Sequence, residues 1–445
     1  MSNGAGSDRE SLAIHIVREL QSRGHMALFV GGCVRDRLLG LHPSDFDVST
    51  DAAPELLLKY FPKAQTVGAH FGVVLVTKNG GAQVEVATFR TEGAYSDGRR
   101  PDAVRFVADP ALDAKRRDFT INGLMQDPLS GKILDFVNGQ ADLAAGVVRA
   151  IGDPERRFAE DHLRMLRGVR FAARLGFQIA PDTMAAIQRL ASSINTISAE
   201  RIRDEIIRIL IEGGARRGFE MLDEGKLLQE VLPEVRAFQG VQQPPEFHPE
   251  GDVWTHVLLM LDQLKAPSFT LAAGALLHDV GKPPTFEVAD RIRFSGHAEI
   301  GAMMAADIAA RLRFSNEEAG QVVSLVANHM KFKDVRQMRT STLKRFLCLP
   351  HFEEHLELHR LDCLASNGYT EAYDFVVQKL AEFGKEELRP PKLISGRDLI
   401  DAGHKPGPCF GRALEAVETA QLEGEISTRE EAMIVASSVL ATCET

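Results

Sequence analysis

The sequence predicts an α+β protein: an N-terminal α/β head on a short mixed sheet, followed by an all-helical remainder. Three observations carry this. Strand and helix signals alternate up to about residue 140. From about Asp153 onward strand signals almost vanish, and apolar residues recur at i, i+3, i+4 and i+7. The 445 residues are too many for one ordinary domain.

The elements follow in order. "SLAIHIVRELQSRG" (11–24) has helical spacing and ends on Gly24, a C-cap signal. "HMALFVGG" (25–32) is a short buried strand running into a Gly-Gly turn, and Arg35–Leu39 starts a helix. "DFDVST" (45–50) is expected to be a strand, with Asp45 and Asp47 on the same face because strand side chains alternate. "FGVVLVT" (71–77) and "AQVEVATF" (82–89) are strands rich in β-branched residues. Residues 90–105 read as a mobile polar loop, 160–177 as one helix, 233–251 as a proline-rich linker, and 388–396 as a second break. Internal repeats and low-complexity segments are absent from the sequence.

Composition narrows the class. With 44% hydrophobic and 26% charged residues the chain reads as soluble and globular. Apolar runs fall short of the ~20 residues of a membrane span, so no membrane association is expected. "MSNGAGSDRE" lacks an apolar signal core. Cys33, Cys348, Cys363, Cys409 and Cys443 are scattered without a CxxC, which fits free thiols in a reducing cytoplasm. A net charge of −10 argues against a general nucleic-acid coat protein but leaves room for a local basic groove. Arginines cluster at Arg99-Arg100, at Arg116-Arg117 and from Arg156 to Arg174.

Chemistry concentrates in four places. Asp45 and Asp47, after the Gly31-Gly32 turn, can hold a hard divalent cation such as Mg²⁺, whose remaining sites water and phosphate oxygens fill. The turn lets backbone amides approach phosphate, and Arg35 adds a bidentate contact. D-x-D alone also describes a surface strand. In "RRDFTIN" (116–122), Arg116 and Arg117 can neutralise a triphosphate, while Asp118 and Asn122 can bond a ribose or hold the shape of a site; an arginine-rich turn is the plainer reading. In "EDHLRMLRGVRFAARLGF" (160–177), Leu163, Leu166, Val169 and Ala173 share one helix face, and Asp161, Arg164 and Arg167 share another. That second face can read a base edge or merely form solvated ion pairs. Finally His256, His278-Asp279, His297, His329 and Asp362 can enclose one or two divalent ions, or survive as a helical scaffold. His351, His355 and His359, four apart, read as a solvated helix face.

Taken together, "GGCVRD…DFD", "RRDFTIN", "DFVNGQADLAAGVVR" (135–149), "EDHLR" and "AERIRDEI" (199–206) resemble, in order, the motifs of the bacterial-type, class II tRNA nucleotidyltransferase and poly(A) polymerase family. The resemblance implies catalytic Asp45 and Asp47 holding Mg²⁺, and a triphosphate held by Gly32, Arg35 and an arginine of the Arg116-Arg117 pair, with Asn122 in the ribose and phosphate motif. It implies Asp161 and Arg164 pairing with the incoming base of ATP or CTP, and Arg167 and Arg170 supporting them. "AERIRDEI" is similar to the start of the neck helix that supports the base-reading site. The histidine set resembles HD metal-dependent phosphohydrolases in the order H…HD…H…H…D, with Gly281-Lys282 after the pair. It implies a divalent metal there: Mg²⁺, Mn²⁺, Ni²⁺ or Fe. Residues 390–432 are similar to the tail of HD-bearing members.

The implied plan is a nucleotidyltransferase head (1–140), a helical neck (141–240), an HD body (241–370) and a helical tail (371–445). The expected reaction is template-independent addition of CMP and AMP to an RNA 3′ end, most of all the CCA end of tRNA. Rivals are a poly(A) polymerase or A-adding enzyme, an HD phosphohydrolase repairing RNA ends, and an RNA-binding scaffold. The lack of a strongly basic tail favours tRNA over poly(A) tailing. Within the family, the loop at 90–105 is where CTP and ATP are switched. Oligomeric state is left open.

Overall fold

The computed structural model describes residues 3–67, 72–78, 81–93 and 103–443. Much of the loop expected to switch nucleotides, with Arg99 and Arg100, lies at 94–102, outside the described residues. The chain divides into two compact units, Met1–Arg236 and Ala237–Thr445.

The first unit is built on a mixed sheet. Its strands are β1 (Ala27–Val30), β2 (Asp47–Thr50), β3 (Ala64–Thr66), β4 (Val73–Thr77), β5 (Gln83–Thr88), β8 (Met125–Gln126) and β9 (Ile133–Leu134), in the order β3-β4-β5-β2-β1-β8-β9. Between them β6 (Arg90–Glu92) and β7 (Val104–Phe106) pair as a separate hairpin. β2 and β5 run parallel, and the other neighbours in the sheet are antiparallel. All four residues of β1 are buried, whereas β5 alternates, with Val84, Val86 and Thr88 inside. A 20-residue helix, Asn3–Ser22, lays Leu12, Ile16, Val17 and Leu20 against β1, β2 and β5. It ends as its sequence foretells: Gly24 adopts φ +85°, and its N–H donates to the Gln21 carbonyl.

One expected element is shorter than its pattern. β2 begins at Asp47, so Asp45 stands outside the strand, and strand alternation does not place the two carboxylates on one face.

The rest of this unit is mainly helical. Leu163–Leu175 packs between Ala199–Ile211 and Ala215–Glu224 through buried Met165, Leu166, Val169 and Ala173. The expected continuous helix from residue 160 is in fact broken. Pro154–Glu160 ends, Asp161 takes an extended conformation (φ −153°, ψ 105°), and a new helix starts at Leu163. The Asp161 carboxylate accepts the Leu163 N–H at 3.1 Å, a local side-chain bond that competes with helix continuation.

Among its described residues the second unit is mainly helical, with one hairpin, Phe286–Val288 with Ile292–Phe294, that the sequence pattern did not announce. Helices Val253–Asp262, Phe269–Leu277, Asn316–Asn328 and Phe352–Ala365 enclose a core of Met260, Ala275, Leu325, Leu358 and Leu361. A further core around Ile394, Leu399, Val417 and Leu440 holds the tail. Of the three histidines expected on a solvated face, His351 is exposed at the helix start, but the other two are not solvated. His355 is 1% exposed, and the His359 ring stacks on Phe332 with centroids 4.2 Å apart. Neighbours pack against the helix on more than one side, so its four-residue spacing reaches the core. Among the described residues, no helix is long and apolar enough to cross a membrane. Cys33, Cys348, Cys363 and Cys409 are free thiols.

Candidate active site and candidate metal centre

In the first unit a cavity of about 790 Å³ opens beside the Gly31-Gly32 turn. It gathers the head and neck residues that the resemblance assigned to the site, Gly32, Arg35, Asp45, Asp47, Arg116, Arg117, Asn122, Asp161, Arg164, Arg167 and Arg170, and Asp118 with them. It also takes in Arg90, Glu92, Arg174, Arg201 and Arg208.

The turn is conformationally demanding. Gly31 sits at φ 73°, ψ −130°, a region reserved for glycine, and caps the helix Gly32–Leu38 without a side-chain hydrogen bond. A Cβ there would also stand 3.3 Å from Arg117 Nη1. The chain can therefore bring the bare helix start to the cavity.

The acids differ in environment. Asp47, the first residue of β2, keeps its side chain exposed, yet the protein crowding around it, Glu85 beside it on β5 and Asp45 push it up to about 6, against a pull from Arg117. Asp45 is largely exposed and pairs with Arg9 at 2.5 Å. Glu85, a third acid in register with Asp47, was not singled out, because cross-strand neighbours leave no spacing signal in the sequence.

The arginines are anchored. Arg35, 2% exposed, donates to Asn122 Oδ1 at 2.6 Å and to Asp36. Asn122 Nδ2 donates to Asp118 at 3.2 Å, and Arg167 donates twice to the same carboxyl, at 2.7 and 2.9 Å. Arg116 and Arg117 share the fully buried Asp113. Arg170 reaches Glu205 and Glu212, and Arg164 donates to Glu160 at 2.6 Å. Arg201 forks onto Asp161. The "RRD…N" stretch thus braces the cavity through Asp118 and Asn122, while the guanidiniums give it donors of a single sign of charge.

The second unit gathers the six predicted metal residues. The Nδ1–H of His278, His297 and His329 each donates to a backbone carbonyl, of Ala275, Phe294 and Val326, at 3.0, 2.9 and 2.6 Å. A carbonyl can only accept, so in the neutral ring it is Nε2 that carries the lone pair. His297 Nε2 and His329 Nε2 lie 3.2 Å apart, and both point at Asp279 Oδ1, at 3.6 and 3.7 Å. Asp279, His297 and His329 form one ligand cluster; His256, His278 and Asp362 form another. Burial pulls His329 down to about 4 and lowers His297, which keeps both rings neutral, the ligand form. Lone pairs converging on a buried carboxylate are the donor set that suits a divalent cation. Glu250 was missed from the sequence: its Oε1 accepts Nδ1–H from both His248 (2.9 Å) and His256 (2.7 Å).

Three family models match in order: the poly A polymerase head domain over residues 27–149, the probable RNA and SrmB-binding site of polymerase A over 176–239, and the HD domain over 252–350. Among curated proteins, a CCA-adding enzyme of Lactobacillus johnsonii is 32% identical over 95% of this chain and 95% of its own. One of Leuconostoc mesenteroides is 31% identical over 94% and 93%. Among solved structures, the CCA-adding enzyme of Bacillus stearothermophilus in complex with CTP superposes with a TM-score of 0.73 at 26% identity, covering 97% of each chain. The Thermotoga maritima CCA-adding enzyme complexed with tRNA shares the fold, at a TM-score of 0.58, 18% identity, and 97% and 95% coverage. With likeness running through both units and over nearly the full length of its relatives, the chain belongs to the CCA-adding enzyme family, the bacterial-type tRNA nucleotidyltransferases.

Proposed function

We propose that this chain builds the CCA end of tRNA, attaching CMP and AMP to the RNA 3′-hydroxyl with release of pyrophosphate and with side chains in place of a nucleic-acid template. The observation that carries this reading is the single cavity in which Asp45 and Asp47, an arginine wall and the Asp161–Arg164 pair meet. We assign functional bounds of 1–140 to the head, 141–240 to the neck, 241–370 to the HD body and 371–445 to the tail. The free thiols fit a reducing cytoplasm.

Asp45 and Asp47 would hold Mg²⁺. Asp47 fits a cation, since two like-charged neighbours, Glu85 and Asp45, raise its carboxyl and Arg117 offsets this only in part. When bound, the ion would neutralise triphosphate and make the attacking hydroxyl more acidic. Arg35, Arg116 and Arg117 orient the phosphates, together with the Gly32 amide at the helix start. Asn122 and Asp118 keep Arg35 and Arg167 in place. Asp161 accepts the exocyclic amino N–H that cytosine and adenine share, and Arg164 donates to the adjacent ring nitrogen. Uracil and guanine present a carbonyl oxygen where Asp161 needs a donor. Arg167 and Arg170 brace this template.

Incubating the enzyme with tRNA lacking its 3′ end and with each nucleotide tests the reading. Growth that stops at CCA is expected; an unlimited A tail would favour poly(A) synthesis instead. Asp47→Asn should cut incorporation by roughly a hundredfold or more, on the scale of losing a group that stabilises transition-state charge. Unchanged incorporation in Asp45→Ala would end the transferase reading.

His256, His278, Asp279, His297, His329 and Asp362 would hold one or two divalent ions, of Mg²⁺, Mn²⁺, Ni²⁺ or Fe, the convergent Nε2 lone pairs supporting this. An ion there would supply Lewis-acid chemistry for hydrolysis of a phosphate ester at an RNA end. Metal content of the purified protein, compared with His278→Ala, tests it; equal content in both removes the site.

A further inference from the structure

Asp161 lies in the break between two helices, so the helical backbone does not set its side-chain direction. Three donors fix it instead. Leu163 N–H reaches Oδ1 at 3.1 Å, Arg201 Nη1 reaches Oδ1 at 3.3 Å, and Arg201 Nη2 reaches Oδ2 at 2.7 Å. A carboxylate offers about four acceptor positions, so the fork and the local bond leave roughly one. That one belongs to a side chain that lines the cavity and is only 15% exposed. Arg201 itself stands in the first turns of Ala199–Ile211, a helix packed along Leu163–Leu175, so its reach is set by a helix–helix contact rather than by a loop. Two parallel N–H bonds on one planar fork restrict rotation of the carboxylate in a way that one point contact cannot.

We infer that Arg201 is a specificity-determining positioning residue: by locking Asp161 it leaves one acceptor direction, which takes the amino group of C or A and excludes the carbonyl oxygen of U or G. The inference rests on the assignment of Asp161 as a base-reading group. Freed from Arg201, the carboxylate would rotate away from a base that offers oxygen, and the penalty against UTP and GTP would shrink. A brace that only held the fold would change all four nucleotides alike.

The test measures kcat/KM for CTP, UTP, ATP and GTP on tRNA ends in the full-length protein, for the unaltered chain, Arg201→Ala, Arg201→Lys and Asp161→Ala. Arg201→Ala is expected to lower the CTP/UTP and ATP/GTP ratios about tenfold or more, beyond any common loss of rate. Lysine, with one contact in place of a fork, should recover part of the ratio. An equal drop for all four nucleotides, or unaltered ratios in both Arg201 variants, overturns the inference while Asp161→Ala still loses discrimination. If Asp161→Ala keeps the full ratios, the base-reading assignment itself falls, and the inference with it. Should Arg201→Ala fail to fold, Arg201→Lys alone decides, since a ratio equal to that of the unaltered chain counts against the fork.

Discussion

Asp118 is almost fully enclosed yet stays ionised. Burial pushes its carboxyl up, but Arg167, with Arg164 and the Asn122 amide, overrides this and holds it well below the usual carboxylate range. Removing it leaves Arg167 half-buried without its main partner, a defect that costs about 3–5 kcal/mol in comparable buried pairs. Asp118→Ala should therefore lose stability on that scale in urea titrations at pH 7, and the loss should shrink as the pH is lowered. The direction follows from the depressed value. The stabilisation is complete above the unfolded carboxyl's ordinary pKa and is lost as pH falls through the lower folded one. At this scale the sequence was readable where chemistry repeats at short range: "RRDFTIN" put forward Asp118 and Asn122 as groups that bond a ribose or hold the shape of a site, and both line the cavity, bonded to each other, with Asp118 also bonded to Arg167. "AERIRDEI" was named as the stretch that supports the base-reading site, but that Arg201 meets Asp161 and Glu205 meets Arg170 was not legible, nor was Glu85, because each meets its partner across tens of residues and no spacing rule links them.

Elements were legible as far as their patterning is local. The mixed head sheet, the first helix with its Gly24 stop and the neck helix at Ala199 follow from alternation, spacing and caps. The break at Asp161 did not, since a helical run of apolar residues passes straight over it. Nor did the burial of His355, which depends on which helices pack around it. Close approach between elements is likewise hidden until the glycines are placed. A Cβ on Gly281, next to the His278-Asp279 pair, would stand 2.1 Å from the His297 carbonyl and 2.7 Å from Gly301 N. Both are backbone atoms that cannot swing aside. Gly281→Ala must then push the His297–Arg311 helix away, moving a candidate ligand out of register with His329 and Asp279. The expected results are a drop in bound divalent metal per chain and a loss of about 1–3 kcal/mol in denaturation, the usual cost of overpacking. Full metal content in Gly281→Ala would show that the two backbones do not need this contact.

Across the whole molecule, the net charge of −10 conceals a cavity rich in arginine and a second unit in which Asp362 and Glu250 hold buried His256 protonated, up to about 9, while burial holds the His297, His329, His355 and His359 imidazoles toward the neutral form. Those imidazoles make stability depend on pH. His355 shows it outside the metal cluster: burial pulls it down to about 4, Lys331 reinforces this, and Glu354 and Glu353 oppose it. Its Nε2 meets the Ser324 hydroxyl at 3.3 Å. An unfolded histidine protonates near 6.5. Between roughly pH 6.5 and pH 4, the unfolded chain therefore takes up a proton that the folded chain refuses, and stability falls as the pH falls. The shift corresponds to about 3 kcal/mol. Leucine at 355 keeps the volume and cannot titrate. Comparing urea midpoints at pH 7 and pH 5, the unaltered chain should lose more stability between the two than His355→Leu does, whatever each loses to the other buried histidines that both chains share. Identical pH sensitivity in the two would mean that His355 takes up its proton in the folded state, so that its enclosure by Phe352–Ala365 and its neighbours opens at low cost.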